Sequence, residues 1–137
     1  MRKSKINISG FKIGTAENRE GLTGVTVILA PDGGATAGVD VRGCAPGTRE
    51  TDLLDPRKTV QKIHAVVLSG GSAFGLEAAS GCVKYLAEQG VGFPIGNVCV
   101  PIVCSAVLFD LMIGDEKAYP DLLMGYEAAK SASSEFL

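Results

Sequence analysis

The sequence has a single histidine, no tryptophan and no Cys-x-x-C pair. A zinc site needs thiolates or imidazoles at close spacing. The four cysteines are scattered instead, at Cys44, Cys82, Cys99 and Cys104. We therefore expect no metal and no other cofactor, and we interpret the cysteines as buried, reduced thiols that behave as small apolar side chains.

The sequence also lacks a strong charge of either sign and a long apolar run. Its formal net charge is -2, and the basic residues are scattered, which argues against nucleic-acid binding. A spanning helix needs about 18 apolar residues, and the longest apolar stretch is shorter and broken by Pro101. The N-terminal "MRKSKINISGFKIG" has no apolar secretory core. We expect a cytoplasmic protein without a membrane segment.

The proportion of hydrophobic to charged residues favours a globular fold. Hydrophobic residues make up 46% of the 137 residues and charged residues 20%, which favours a packed domain over disorder. We treat residues 1–137 as a single domain. The 18 glycines fall at turn positions, which indicates backbone that needs positive φ or close approach.

Strand patterns dominate the first half of the chain. The β-branched segment 23–30 ends at "PDGG", which predicts a turn, and the alternating segment 36–43 is interpreted as the return strand of a hairpin. Residues 44–56 are predicted as a loop that can include one short helical turn. Residues 62–71 form a buried-strand pattern, and 97–111 reads as two strands separated by a proline.

Two helices follow from the pattern. From Ser72, apolar residues recur at helical spacing, with Ser72 as the predicted N-cap and Gly90 at the C-terminal end. Residues 119–136 predict a second helix with Pro120 near its first position. The order of elements favours an α+β fold with helices on a mixed or antiparallel sheet.

The stretch "LSGGSAFGL" joins the 62–71 strand to the first helix. Ser72 could be a nucleophile, but Phe74 stands where the elbow pattern G-x-S-x-G needs glycine. Its only possible histidine partner is His64, which we interpret as a structural residue on the same strand. A second reading is an anion or oxyanion site built from the backbone N–H groups of Gly70, Gly71 and Ser72. A third is a plain turn with a cap.

A second polar cluster lies in "RGCAPGTRETDLLDP". Arg42, Arg49, Glu50 and Asp52 belong to one loop rich in glycine and proline, and such loops carry binding groups on a rigid scaffold. The alternative is a solvated loop held by ion pairs.

Five segments, in this order, resemble one family: "LTGVTVILAPDGG", "GVDVRGCAPGTRETDLLDP", "HAVVLSGGSAFGLEAASGCVKYLAEQGVGFP", "VPIVCSAVLFDL" and "GDEKAYPD" with "GYEAA". Together they are similar to the N-terminal part of the D-aminopeptidase/esterase family, which includes L-aminopeptidase D-esterases, β-peptidyl aminopeptidases and the nylon-oligomer hydrolase. The resemblance extends from about Ile8 to Ala129. It implies an αββα sandwich like that of the ornithine acetyltransferases, incomplete here, in which self-cleavage frees an N-terminal Ser or Thr that attacks an amide or ester.

In that family the cleavage point and the nucleophile lie downstream of the segments matched here. The resemblance therefore implies the N-terminal portion of a hydrolase, inactive alone, whose partner is the C-terminal portion of the same precursor. It also implies a small peptide or amide substrate and a homo-oligomer. Relatives carry tyrosine where Phe74 stands, so the N–H groups of Gly71 and Ser72 are left as possible oxyanion donors. The alternatives are an inactive binding or assembly module of the same fold, and an acetyltransferase.

Overall fold

The computed structural model describes residues 4–5 and 7–136. Within these residues the chain forms short and long strands, two α-helices and two short 3-10 helices. The strands are β1 (Ser4–Lys5), β2 (Lys12–Asn18), β3 (Thr23–Leu29), β4 (Thr48–Arg49), β5 (Ala65–Ser69), β6 (Phe93–Ile95), β7 (Val98–Val100), β8 (Val103–Val107) and β9 (Glu135–Phe136). The α-helices are α1 (Glu77–Glu88) and α2 (Leu122–Lys130), and the 3-10 helices span Asp52–Leu54 and Ser72–Leu76.

A five-stranded sheet with the order β2-β3-β5-β8-β4 forms the centre of the fold. The pairs β2–β3, β3–β5 and β4–β8 are antiparallel, whereas β5 and β8 are parallel. Two smaller sheets pair β1 with β9 and β6 with β7. The α+β fold with a mixed sheet is thereby confirmed, as are strands within 23–30 and 62–71 and on both sides of Pro101.

Both α-helices pack on one face of the central sheet. Alternate residues of the strands face the helices, as the period of two requires. The buried core joins three strands and both helices: Val25, Val27, Leu29, Ala65, Val67, Ala78, Ala79, Cys82, Leu86, Val103, Ala128 and Ala129. Neither helix of the described residues is long and apolar enough to cross a membrane.

Glycines let the two helices approach closely. A Cβ atom on Gly81 of α1 would collide with the carbonyl oxygen of Leu122, and one on Gly125 of α2 with that of Ala78. Small residues at both positions therefore set the spacing of the pair, because any side chain would force the backbones apart.

The opposite face of the sheet is open within the described part of the chain. Thr26, Leu68 and Ala106 are neighbours in register across β3, β5 and β8. The Leu68 side chain is 46% exposed, although it lies on a central strand. The sheet thus presents an apolar face that no helix described here covers.

The prediction of a hairpin strand over residues 36–43 is wrong, because these residues form no strand. Both edges of β3 are already occupied, by β2 on one side and β5 on the other. Val39 and Val41, the source of the alternating pattern, are 50% and 45% exposed. The segment instead runs along the surface after the turn at 31–34.

The second helix is shorter than predicted. It covers Leu122–Lys130 rather than 119–136, and the carboxylate of Asp121 accepts a hydrogen bond from the Met124 N–H at 2.8 Å as its N-cap. Pro120 therefore precedes the cap instead of standing at the first helical position. The residues before the C-terminus return to extended backbone as β9, which pairs with β1.

Candidate functional site

The turn after β5 has a left-handed backbone at two consecutive residues. Gly71 has φ 81° and Ser72 has φ 53°. Glycine adopts this region freely, but for serine it costs roughly 1 kcal/mol. The prediction of Ser72 as the N-cap of a helix is wrong. The residue before the 3-10 helix is Gly71, Ser72 is the first residue of that helix, and α1 starts only at Glu77.

The carboxylate of Asp110 holds this turn in place. One oxygen accepts the Gly71 N–H at 2.6 Å, and the other accepts the Thr23 hydroxyl at 2.8 Å. Gly70 packs so tightly here that a Cβ atom would collide with the Asp110 carboxylate and the Thr23 hydroxyl. Asp110 therefore joins the start of β3, the turn after β5 and the segment after β8.

Sequence reasoning missed Asp110. The residue sits inside "AVLFDLMI", with apolar residues on both sides, and is half-buried. Charged residues in such surroundings are usually paired or hydrogen-bonded. This isolated carboxylate in an apolar run was the signal that could have identified it.

The three N–H groups proposed as oxyanion donors are all engaged inside the chain, and that of Gly70 donates to the carbonyl of Gly24 at 2.9 Å. The Gly71 N–H donates to Asp110, and the Ser72 N–H donates to the carbonyl of Leu108 at 2.8 Å. The Leu108 N–H in turn donates to the carbonyl of Ser69 at 2.8 Å. Each of these three N–H groups would have to leave its present acceptor before it could hold a substrate oxygen.

A groove of about 590 Å³ runs beside the turn. Residues from the end of β2, the β2–β3 connection and the start of β3 form one wall, and Gly70, Leu108 and Asp110 form the other. The lining mixes apolar and polar groups, including Leu22, Thr26 and Glu17. Of the predicted site residues, Gly70 borders this groove.

Phe74 lies next to an aromatic partner that the sequence did not indicate. Its ring stacks on Tyr119 with a centroid distance of 4.8 Å and an interplanar angle of 18°. Phe74 nevertheless remains 58% exposed and Tyr119 38% exposed. The pair forms an aromatic surface on the first turn of the 3-10 helix.

The four residues of the polar loop are not brought together at the groove. Arg49 lies in β4 and donates to the Ser80 hydroxyl on α1 at 2.6 Å. Glu50 has φ 59°, and its carbonyl accepts the Cys104 S–H at 3.3 Å. Asp52 begins a 3-10 helix, and Arg42 pairs with Asp40 on the surface, where the two side chains are 86% and 66% exposed. Arg49 and Glu50 fasten this loop to the sheet and to α1.

His64 has the structural role that the sequence suggested. Its Nδ1 accepts the Ile102 N–H at 3.1 Å, and the residue is buried, which lowers the pKa of the imidazole below 6.5. His64 precedes β5 and Ser72 follows it. The five residues of β5 span about 17 Å at roughly 3.3 Å per residue, so the two side chains do not form a nucleophile–base pair.

The expectation that all four cysteines are buried is confirmed for two of them and wrong for the other two. Cys82 and Cys104 are buried, and burial raises the pKa of Cys82 to about 12 and that of Cys104 to about 11. Cys44 and Cys99 are exposed, and all four are free thiols. Cys99 lies in the β6–β7 hairpin and Cys44 in the surface loop, and both positions are outside the buried core.

Two curated relatives resemble this chain in sequence. The chain is 50% identical over 109 residues to an uncharacterized aminopeptidase of Mycobacterium leprae (strain TN), a match that covers 80% of this chain and 30% of the relative. It is 34% identical over 128 residues to a 6-aminohexanoate-oligomer endohydrolase of Kocuria sp. (strain KY2), covering 93% of this chain and 33% of that enzyme. The chain thus spans about a third of the length of these relatives.

The fold resembles a solved protein of Pyrococcus horikoshii OT3, with a TM-score of 0.66 and 20% identity over 94% of this chain and 40% of that one. The family model described as peptidase family S58 matches residues 5–135. This match agrees with the family resemblance of the five sequence segments described above. It extends over nearly the whole sequence. The chain belongs to peptidase family S58.

Proposed function

We propose that the chain is the N-terminal portion of a hydrolase that cleaves amide or ester bonds of small peptide-like substrates. The single observation that supports this most is the family match from residue 5 to residue 135, over a chain that spans only 30% and 33% of two relatives named as hydrolases. In this proposal the nucleophile is an N-terminal Ser or Thr of the remaining polypeptide, whose own amine serves as the base.

The geometry around Ser72 supports a nucleophile from elsewhere. A serine nucleophile needs a base within hydrogen-bond reach, about 2.6–3.2 Å away. His64 lies at the other end of β5, and its Nδ1 already accepts a backbone N–H. We assign Ser72 to the turn that flanks the substrate site rather than to the attack.

The open sheet face supports a second layer. Large contiguous apolar surfaces on a protein mark places where another chain or segment packs. Leu68 on the open face is 46% exposed, and Leu108 and Phe109, at the end of β8, are 71% and 69% exposed. We propose that the C-terminal portion of the same precursor places a second sheet here and so completes an αββα sandwich.

The groove beside Asp110 then lies between the two portions. We propose that the scissile carbonyl of the substrate binds along the turn formed by Gly70, Gly71 and Ser72, with the nucleophile approaching from the added layer. The proposal includes a cytoplasmic, homo-oligomeric enzyme.

A reconstitution experiment tests the proposal. The chain, the part of the Mycobacterium leprae aminopeptidase outside the matched region, and an equimolar mixture are assayed for release of p-nitroaniline from amino-acid p-nitroanilides. We expect each piece to be inactive and the mixture to be active. The mixture is repeated with Ser72→Ala and with Ser72→Gly, which keeps the left-handed backbone without strain, and both are expected to retain activity.

Three other outcomes are informative. Hydrolysis by the chain alone that Ser72→Ala abolishes would make Ser72 the nucleophile and refute the proposal. Complex formation in size-exclusion chromatography without hydrolysis would favour a binding or assembly module. A stable monomer that binds nothing would argue against the second layer.

A further inference from the structure

A second cavity, of about 460 Å³, lies at the end of the sheet where β5 begins. It shares no lining residue with the groove beside Asp110. Its walls come from the turn after β3, from the residues just before β5, and from the segment 90–94 after α1. Its volume is within the range of small-molecule sites, about 300–1,000 Å³. The proposed hydrolysis makes no use of it.

His64 lines this cavity with a fixed ring, whose Nε2 has no hydrogen-bond partner among residues 4–5 and 7–136. The residue His64 is 6% exposed, and its Nδ1 accepts the Ile102 N–H. Because Nδ1 must carry a lone pair for this bond, the neutral ring carries its proton on Nε2, which is therefore a donor. The backbone of His64 is held as well, by bonds to Ile102 and Ala30 at 2.8 and 2.9 Å.

Charged groups of both signs lie at the rim. Lys62 and Asp32 both line the cavity and are exposed. Among the ion pairs of the described residues, neither takes part. The cavity thus offers an ammonium group beside an imidazole N–H donor, and a separate carboxylate.

Apolar groups complete the lining. Pro31, Val91 and Phe93 line the same cavity and are half-buried. A ligand that matches all of these groups has a carboxylate, an amine and an apolar body. A simple anion would leave Asp32 facing a like charge, and a simple amine would face Lys62.

We propose that this cavity binds a free amino acid with an apolar side chain. The carboxylate pairs with Lys62 and accepts the Nε2–H of His64, the ammonium group pairs with Asp32, and the side chain packs on Val91 and Phe93. Charge-assisted hydrogen bonds of this kind give such a site its affinity and its orientation. This inference stands on its own and does not depend on the proposed hydrolysis.

The single histidine makes the test direct, since its ring resonances report on this cavity alone. The 137-residue chain is titrated with L-leucine, with 4-methylpentanoate, which lacks the amine, and with 3-methylbutylamine, which lacks the carboxylate. We expect a saturable shift of the His64 ring signals with leucine. Both analogues should bind more weakly by about tenfold or more, the factor for one lost charge-assisted contact.

Surface variants identify the contacts without disturbing the core. Lys62→Met should weaken leucine binding by about tenfold. Asp32→Asn should weaken the binding of leucine but not that of 4-methylpentanoate, which then no longer faces a like charge. Lys12→Met, an exposed lysine on β2, is the matched control and should change nothing. Amide spectra of each variant confirm that the fold is retained.

Two results would overturn the inference. If 4-methylpentanoate binds as tightly as leucine, Asp32 plays no part and the ligand is not an amino acid. If no saturable shift occurs up to the solubility limit of leucine, or if Lys62→Met and Lys12→Met behave alike, the cavity is not a binding site.

Discussion

Replacement of Asp110 by alanine should destabilise the chain more than the same replacement at an exposed aspartate. The substitution removes the acceptor for the Gly71 N–H and for the Thr23 hydroxyl. A hydrogen bond to a charged group contributes about 1.5–3 kcal/mol. Because Asp110 is only half-buried, water can replace part of both bonds, and we expect a loss of about 3 kcal/mol in the free energy of unfolding.

Urea unfolding followed by far-UV circular dichroism measures this loss. Asp115→Ala is the matched control, since the Asp115 carboxylate accepts the nearby Lys117 N–H at an exposed site, and should cost less than about 1 kcal/mol. Asp110→Asn should fall between the two, because its amide oxygen can still accept the Gly71 N–H. If Asp110→Ala costs no more than Asp115→Ala, Asp110 does not hold the turn.

Three further predictions concern the rest of the fold. Burial lowers the pKa of His64 below 6.5, so the unfolded chain binds more protons than the folded chain below that pH. The free energy of unfolding should therefore fall as the pH drops through 6.5, and His64→Gln should reduce that slope in urea melts at pH 7.5 and 5.5. Gly125→Ala should cost about 3 kcal/mol or more by overpacking against α1, whereas Gly38→Ala, with open space around it, should change stability by less than about 0.5 kcal/mol. Equal midpoints for these two variants would contradict the close helix contact. Ser72→Gly should raise the stability relative to Ser72→Ala by roughly 1 kcal/mol, through relief of its left-handed backbone, and an unchanged thermal midpoint would argue against strain there.

The hydrophobic pattern of the local sequence is sufficient to predict the strands and the helix that bury one face. The strands around Val27 and Val67 and helix α1 alternate or repeat with the period of their structure, and the core follows that pattern. The segment 36–43 alternates as well, but strand formation needs a partner edge. Whether an edge is free depends on the pairing of β3 with β5, which is not a local property.

The site was harder to predict for the same reason. The sequence predicts a special turn at Gly70, Gly71 and Ser72, because glycine and serine at the end of a strand indicate unusual backbone. Its partner, Asp110, is 39 residues away in sequence from Gly71, and only the parallel pairing of β5 with β8 brings them together. In contrast, Arg42, which shares a loop with Arg49, lies apart from it on the surface.

The anchoring of the turn by Asp110 has a consequence for the order of events during synthesis. Thr23 and Asp110 are 87 residues apart in sequence, so a ribosome has released β3, β5 and α1 well before the carboxylate emerges. Until then the Gly71 N–H has only water as a partner, and the left-handed conformation of Ser72 has nothing to compensate for its cost. The groove wall at Asp110 therefore forms late, because a nascent chain that ends before residue 110 lacks the acceptor for the Gly71 N–H.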